Sequence, residues 1–124
     1  MVAVTINLDD LEQGVTYDHD FQWLEADGIT PIDLTGCTAR SEWRESIDST
    51  GVLFSLTTEN GRLRIDPILG KIAIHLTEPE TKAFTFFAAV YDLEIVFPPL
   101  PNAEIPVVRF CKGKIKISRE ITRV

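Results

Sequence analysis

"FFAAVYDLEIVF" (residues 86–97) is the stretch whose reading decides the fold. Phe87, Ala89, Tyr91, Leu93, Ile95 and Phe97 occupy one phase, and Phe86, Ala88, Val90, Asp92, Glu94 and Val96 the other. Successive side chains of a strand point to opposite faces, so this is a strand with one apolar and one wetter face. That alternation belongs to antiparallel sheets rather than to the doubly apolar strands of a parallel α/β sheet. The same rhythm recurs in Val2, Val4, Ile6 and Leu8, in Ile72, Ile74 and Leu76, and in Ile115 and Ile117 set against Lys114, Lys116 and Ser118. Strands are expected near 2–8, 15–24, 37–47, 51–57, 62–66, 71–76, 86–97, 105–112 and 114–119. Asp27-Gly28 and Asn60-Gly61 carry the two-residue hairpin signal, and "DPILGK" (66–71) offers another turn. Many strands divided by turn residues predict an all-β sandwich or barrel.

One short helix interrupts the pattern. In "LTEPETKAF" (76–84), Thr77 stands at an N-cap position with Glu80 three residues on, a capping box. Pro79 falls in the first turn, where a missing N–H costs nothing. The helix is expected over 78–84.

A chain of 124 residues is expected to form a single domain, 1–124. With 44% hydrophobic and 25% charged residues it has the composition of a globular protein, not of a disordered one. No apolar run approaches the ~20 residues of a membrane span, and the N-terminus lacks the pattern of a signal peptide. Cys37 and Cys111 form neither a disulfide framework nor a CxxC pair and read as buried reduced thiols. Synthesis in the cytosol fits these features.

Motifs for catalysis are absent. There is no GxSxG, no GxxxxGK[ST] and no GxGxxG. In "YDHDF" (17–21), Asp18 and Asp20 point to the face opposite His19, and His75 has no companion ligand in sequence, so no metal site is expected. Trp23, Trp43, Phe54, Phe87, Tyr91 and Phe97 read as core, whereas Phe86 and Phe87 must face opposite sides. A small hydrolase is the least favoured reading.

Charge is distributed unevenly. The chain carries a net −7, yet residues 109–124 hold Arg109, Lys112, Lys114, Lys116, Arg119 and Arg123 against Glu120 alone. The other 108 residues hold six basic and eighteen acidic side chains. General nucleic-acid binding is disfavoured, because a duplex would meet mostly like charge. Lys112, Lys114 and Lys116 share one face of the last strand. Two readings fit them: lysines guarding an edge strand against stray pairing, or a basic stripe that docks on an acidic neighbour. "PPLPNAEIP" (98–106) is a second feature, with Pro98, Pro99, Pro101 and Pro106 stiffening a connection longer than a usual hairpin loop. It reads equally as a projecting arm or as a rigid surface loop.

"TPIDLTGCTARSEWR" (30–44), "LTTENGRL" (56–63), "GKIAIHLTEPETKAF" (70–84), "VYDLEIV" (90–96) and "GKIKISREITR" (113–123) together resemble a group of small structural proteins of tailed bacteriophages and prophages. Cys37 stands where typical members have an aromatic residue, and the proline-rich loop is longer than theirs. The resemblance implies an immunoglobulin-like β-sandwich similar to the N-terminal domain of upper baseplate proteins. It also implies a non-enzymatic virion protein of the tail, baseplate or neck, an adaptor or fibre-anchoring subunit that binds other virion proteins and copies of itself. It supplies no catalytic residue, and with the charge and hydropathy of the chain no cofactor and no nucleic-acid, membrane or small-molecule partner is expected. The expected interface is Lys112, Lys114, Lys116, Arg119 and Arg123 with the loop from Pro98 to Pro106. Alternatives are a capsid-decorating or head-fibre protein, and a carbohydrate-binding module that would need Trp23 or Trp43 exposed.

Overall fold

The computed structural model describes residues 3–123. Met1, Val2 and Val124 lie outside the described residues, and with Val2 the expected start of the first strand. Nine strands and one helix follow in the order β1 (Val4–Thr5), β2 (Leu8–Glu12), β3 (Tyr17–Gln22), β4 (Thr38–Arg44), β5 (Phe54–Thr57), β6 (Leu63–Asp66), β7 (Lys71–Leu76), α1 (Glu78–Lys82), β8 (Ala88–Val96) and β9 (Val107–Ser118). They form two sheets. The larger runs β1-β9-β8-β4-β5, with β2 also pairing with β9, and the smaller runs β3-β7-β6. The two pack face to face as a sandwich, and their inner faces make the core.

The alternation in 86–97 lands as expected. Ala89, Tyr91, Leu93 and Ile95 are buried. They face Phe21, Ile72, Ile74 and Leu76 of the smaller sheet within one apolar cluster that also holds Trp43, Leu56, Ile115 and Ile117. Each such aliphatic side chain contributes about 1.5–3 kcal/mol of burial.

Several expectations need correction. The segments 105–112 and 114–119 are one strand, not two, because β9 continues through Gly113. The first strand breaks into β1 and β2, and both pair with β9 in parallel, so the larger sheet is mixed rather than purely antiparallel. Gly113 explains the break. The chain crosses so close there that a Cβ on Gly113 would lie 2.0 Å from the Ile6 carbonyl oxygen. Tyr91 donates its hydroxyl hydrogen to that same oxygen at 2.7 Å, and the Lys114 N–H donates to Asn7 Oδ1 at 2.9 Å. The alternation also fails at Val4, which is exposed, whereas Leu8 and Leu11 are buried.

The two glycine turn signals join other things than hairpin strands. Asn60-Gly61 links β5 of the larger sheet to β6 of the smaller one, so it carries the chain between layers. Asp27-Gly28 caps a longer loop closed by an isolated bridge from Leu24 to Pro31. The Asp27 carboxylate shapes that loop by accepting bonds from the Ile29 and Thr30 N–H groups. The turn at 66–71 does join the hairpin β6–β7, with Gly70 at φ +61°.

The helix is shorter than expected, but its capping box is present. The Thr77 side chain accepts from the Glu80 N–H, and the Glu80 carboxylate accepts from the Thr77 N–H. Burial pushes Glu80 up, but bonds from the Thr77 N–H, the Arg62 guanidinium and the Thr77 hydroxyl outweigh it and hold the carboxyl below its usual range. No helix among the described residues is long and apolar enough to cross a membrane.

Candidate functional site

Among the described residues no other strand or helix covers the outer face of the larger sheet, which opens into a groove. Its wet phase is charged on three neighbouring strands. β4 supplies Arg40, Glu42 and Arg44, β8 supplies Asp92 and Glu94, and β9 supplies Arg109, Lys112, Lys114 and Lys116. Antiparallel register sets these rows opposite one another: Arg40 by Glu94, Glu42 by Asp92, Asp92 by Lys112 and Val90 by Lys114. The face is hollowed into an open groove of about 780 Å³, bounded by Thr5 and Asn7 on one side and by Ser55 and Thr57 on the other.

A bulge in β9 composes the basic row. Leu93 pairs with Cys111 but Glu94 pairs with Arg109, so Phe110 is the extra residue. Phe110 and Cys111 are therefore both buried, and Arg109 emerges on the same face as Lys112. Strict alternation would have put Arg109 and the lysines on opposite faces. Inside, burial pushes the Cys111 thiol up to about 11, outweighing its bond with the Tyr91 hydroxyl. The other thiol, Cys37, is only half-buried, so the expectation of two buried cysteines holds for one.

The carboxylates of the face are held by arginines. Arg40 pairs with Glu94 at 2.8 Å, Arg44 with Glu42 at 2.7 Å and Arg109 with Asp92 at 3.3 Å. Burial, and then the neighbouring Glu94 charge, push Asp92 above the usual carboxylate range despite Arg109. Lys112, Lys114 and Lys116 are exposed, and among the described residues none of them has an ion-pair partner.

The edge-guard reading of these lysines is overturned. β9 is paired on one side by β8 and on the other by β1 and β2, so the stretch that carries the three lysines, Lys112 to Lys116, is an interior strand and not an edge. The physical reason is the parallel N-terminal segment, which no local pattern announced.

The remaining expected interface residues lie apart from this face. Arg119 sits with its guanidinium 4.9 Å from the centre of the Phe87 ring. It thereby covers one of the two phenylalanines that were expected to face opposite ways, while Phe86 packs against Phe84 and Trp43. Arg123 is exposed beyond β9. Pro98, Pro99 and Pro101 are exposed and Pro106 is half-buried, at the opposite end of the sandwich from α1. Their loop is ordered by the Phe97 N–H on the Pro106 carbonyl, the Leu100 N–H on the Glu104 carbonyl and the Ala103 N–H on the Leu100 carbonyl. Ala103 adopts φ +66°, a left-handed conformation that disfavours a Cβ. The structure thus sets the three lysines in one row, with Arg119 over Phe87 and Arg123 just beyond β9, and the prolines at the far end of the sandwich.

Sequence reasoning missed the β4 and β8 charges, because only register places them beside β9. It also missed an acidic flank on β2 and β3, described below. In the smaller sheet, strand faces fall as expected: Asp18 and Asp20 point outward and His19 inward. Pairing brings Asp18 against His75, at 2.5 Å. Among the described residues no three His, Cys, Asp or Glu side chains are grouped to hold a metal ion. Trp43 is fully buried, and Trp23 is half-buried against Phe97 and Phe110, which removes Trp43 from any sugar-stacking surface.

No family model matches the chain. No characterised protein matches it in sequence.

Proposed function

We propose that this chain is a non-enzymatic structural protein of a tailed-phage particle, an adaptor or fibre-anchoring subunit of the tail, baseplate or neck. One observation carries the reading. In a chain of net charge −7, Lys112, Lys114 and Lys116 stand in a row on an open sheet face with no ion-pair partner among the described residues. That is a surface suited to a protein partner of opposite charge.

Strand order supports the immunoglobulin-like form of the sandwich implied by the resemblance. A three-stranded sheet β3-β7-β6 over a sheet in which β9, β8, β4 and β5 adjoin follows the order of immunoglobulin-type sandwiches with one added strand. Trp43 is buried on β4, the strand that carries the core tryptophan in such domains. The ordered proline loop provides a second, separate surface for a neighbour.

The test is location. Immunogold labelling and mass spectrometry of purified particles from the phage that encodes the chain should find it in several copies at the tail or neck. Labelling on the capsid would favour the head-fibre alternative, and absence from particles would sink the virion reading altogether.

A further inference from the structure

Within the reading of the chain as an assembling protein, we propose that the lysine face binds the acidic flank of a second copy of this chain. The occupant follows from what each patch lacks. On the lysine face the carboxylates of Glu42, Asp92 and Glu94 are already taken by Arg44, Arg109 and Arg40. Lys112, Lys114 and Lys116 therefore have only solvent, or another molecule, to meet.

The complementary patch lies on β2 and β3. β2 belongs to the larger sheet and β3 to the smaller, and the Tyr17 hydroxyl, donating to Asp10 Oδ1 at 2.8 Å, links them. Their sequences, LDDLE and YDHDFQ, contain no lysine or arginine. Asp9, Glu12 and Asp20 are exposed and, among the described residues, form no ion pair, while Asp18 meets only the His75 imidazole.

Spacing matches as well as sign. Alternate residues of a strand repeat about every 6.8 Å on one face. Lys112 and Lys114 therefore present two cations at the interval at which Asp18 and Asp20 present two anions. Opposed charges at matching intervals fix a register as well as attracting. A nucleic acid or an anionic membrane would meet the same lysines, but on a chain whose net charge of −7 repels a polyanion.

A charge swap tests the contact. One variant carries Lys112→Glu and Lys114→Glu, the other Asp18→Lys and Asp20→Lys. All four positions are exposed. Sedimentation is read for wild type, each variant and their equimolar mixture. Wild type should associate, and the association should weaken at least ~10-fold as the screening length shrinks from about 10 Å at ~0.1 M salt to about 3 Å at ~1 M. Each variant alone should stay monomeric, because like charges then face each other. The mixture should recover the association, which also shows that both variants are folded.

A wild type that stays monomeric at low salt overturns the proposal, and so does a mixture that stays monomeric while both variants keep a wild-type circular dichroism spectrum. A pair of variants that each associate like wild type overturns it too. None of these results touches the virion reading, which falls only if the protein is missing from particles.

Discussion

At the end of the sandwich that carries α1, side-chain hydrogen bonds join segments far apart in the chain. The Gln13 amide donates to the Phe84 carbonyl at 3.1 Å and accepts from the Glu120 N–H at 3.0 Å. The buried Thr81 hydroxyl donates to the Val15 carbonyl at 2.8 Å and accepts from the Gly14 N–H at 3.1 Å. At the proline-loop end the bonds are mostly local. Asp27 serves Ile29 and Thr30, Asp33 serves Thr35, and Asn102 serves Glu104. Gln22, which reaches the Leu69 carbonyl, is one exception, and the Ala39 N–H on the Thr58 hydroxyl is another. The difference teaches where stability resides. Long-range side-chain bonds join distant segments directly, whereas the local side-chain bonds shape a loop whose attachment to the body rests on backbone bonds such as the Leu34 N–H on the Pro67 carbonyl.

The largest break in this comparison should come from the aromatic cluster at the helix end. Trp43 packs against Phe54, Phe84 and Phe86 with ring centres 5.4–6.3 Å apart and is fully buried. Trp43→Ala should destabilise by about 3–5 kcal/mol, read in denaturant unfolding. Trp43→Phe should cost much less, because the indole N–H is buried without a hydrogen-bond partner and so has no bond to lose. Equal losses for the two would show that the N–H is satisfied after all.

A smaller effect is expected at Thr81. Thr81→Val keeps the shape but removes the hydroxyl, leaving the Val15 carbonyl and the Gly14 N–H without it. The expected cost is about 1–3 kcal/mol. The smallest belongs to the other end. Leu100 and Ile105 are about half exposed, so Leu100→Ser and Ile105→Ser should each stay within about 0.5 kcal/mol of wild type. A loss above ~1 kcal/mol would show that the proline loop supports the body, contrary to the contrast drawn between the two ends.

Much of the fold was legible in short stretches. The alternation in 86–97 named the buried side chains of β8, and Thr77 with Glu80 announced the helix start. The inward and outward faces of Asp18, His19 and Asp20 followed from the same rule. The site was legible in part. Lys112, Lys114 and Lys116 were read as one stripe, but their setting was not. Arg119 was grouped with them, whereas its guanidinium lies over Phe87.

The sequence by itself determined what a residue's immediate neighbours dictate: which side chains alternate, where a helix can begin, and that basic charge gathers in residues 109–124 of an acidic chain. Tertiary structure alone decided that β1 and β2 lie parallel to β9, that the bulge at Phe110 turns Arg109 outward, and that on this face arginines take the carboxylates while Lys112, Lys114 and Lys116 have no ion-pair partner among the described residues. The reason is physical. Alternation is a property of one strand's backbone geometry, whereas pairing and register arise between segments up to 100 or so residues apart, where backbone approach at Gly113 and cross-strand charges select the outcome.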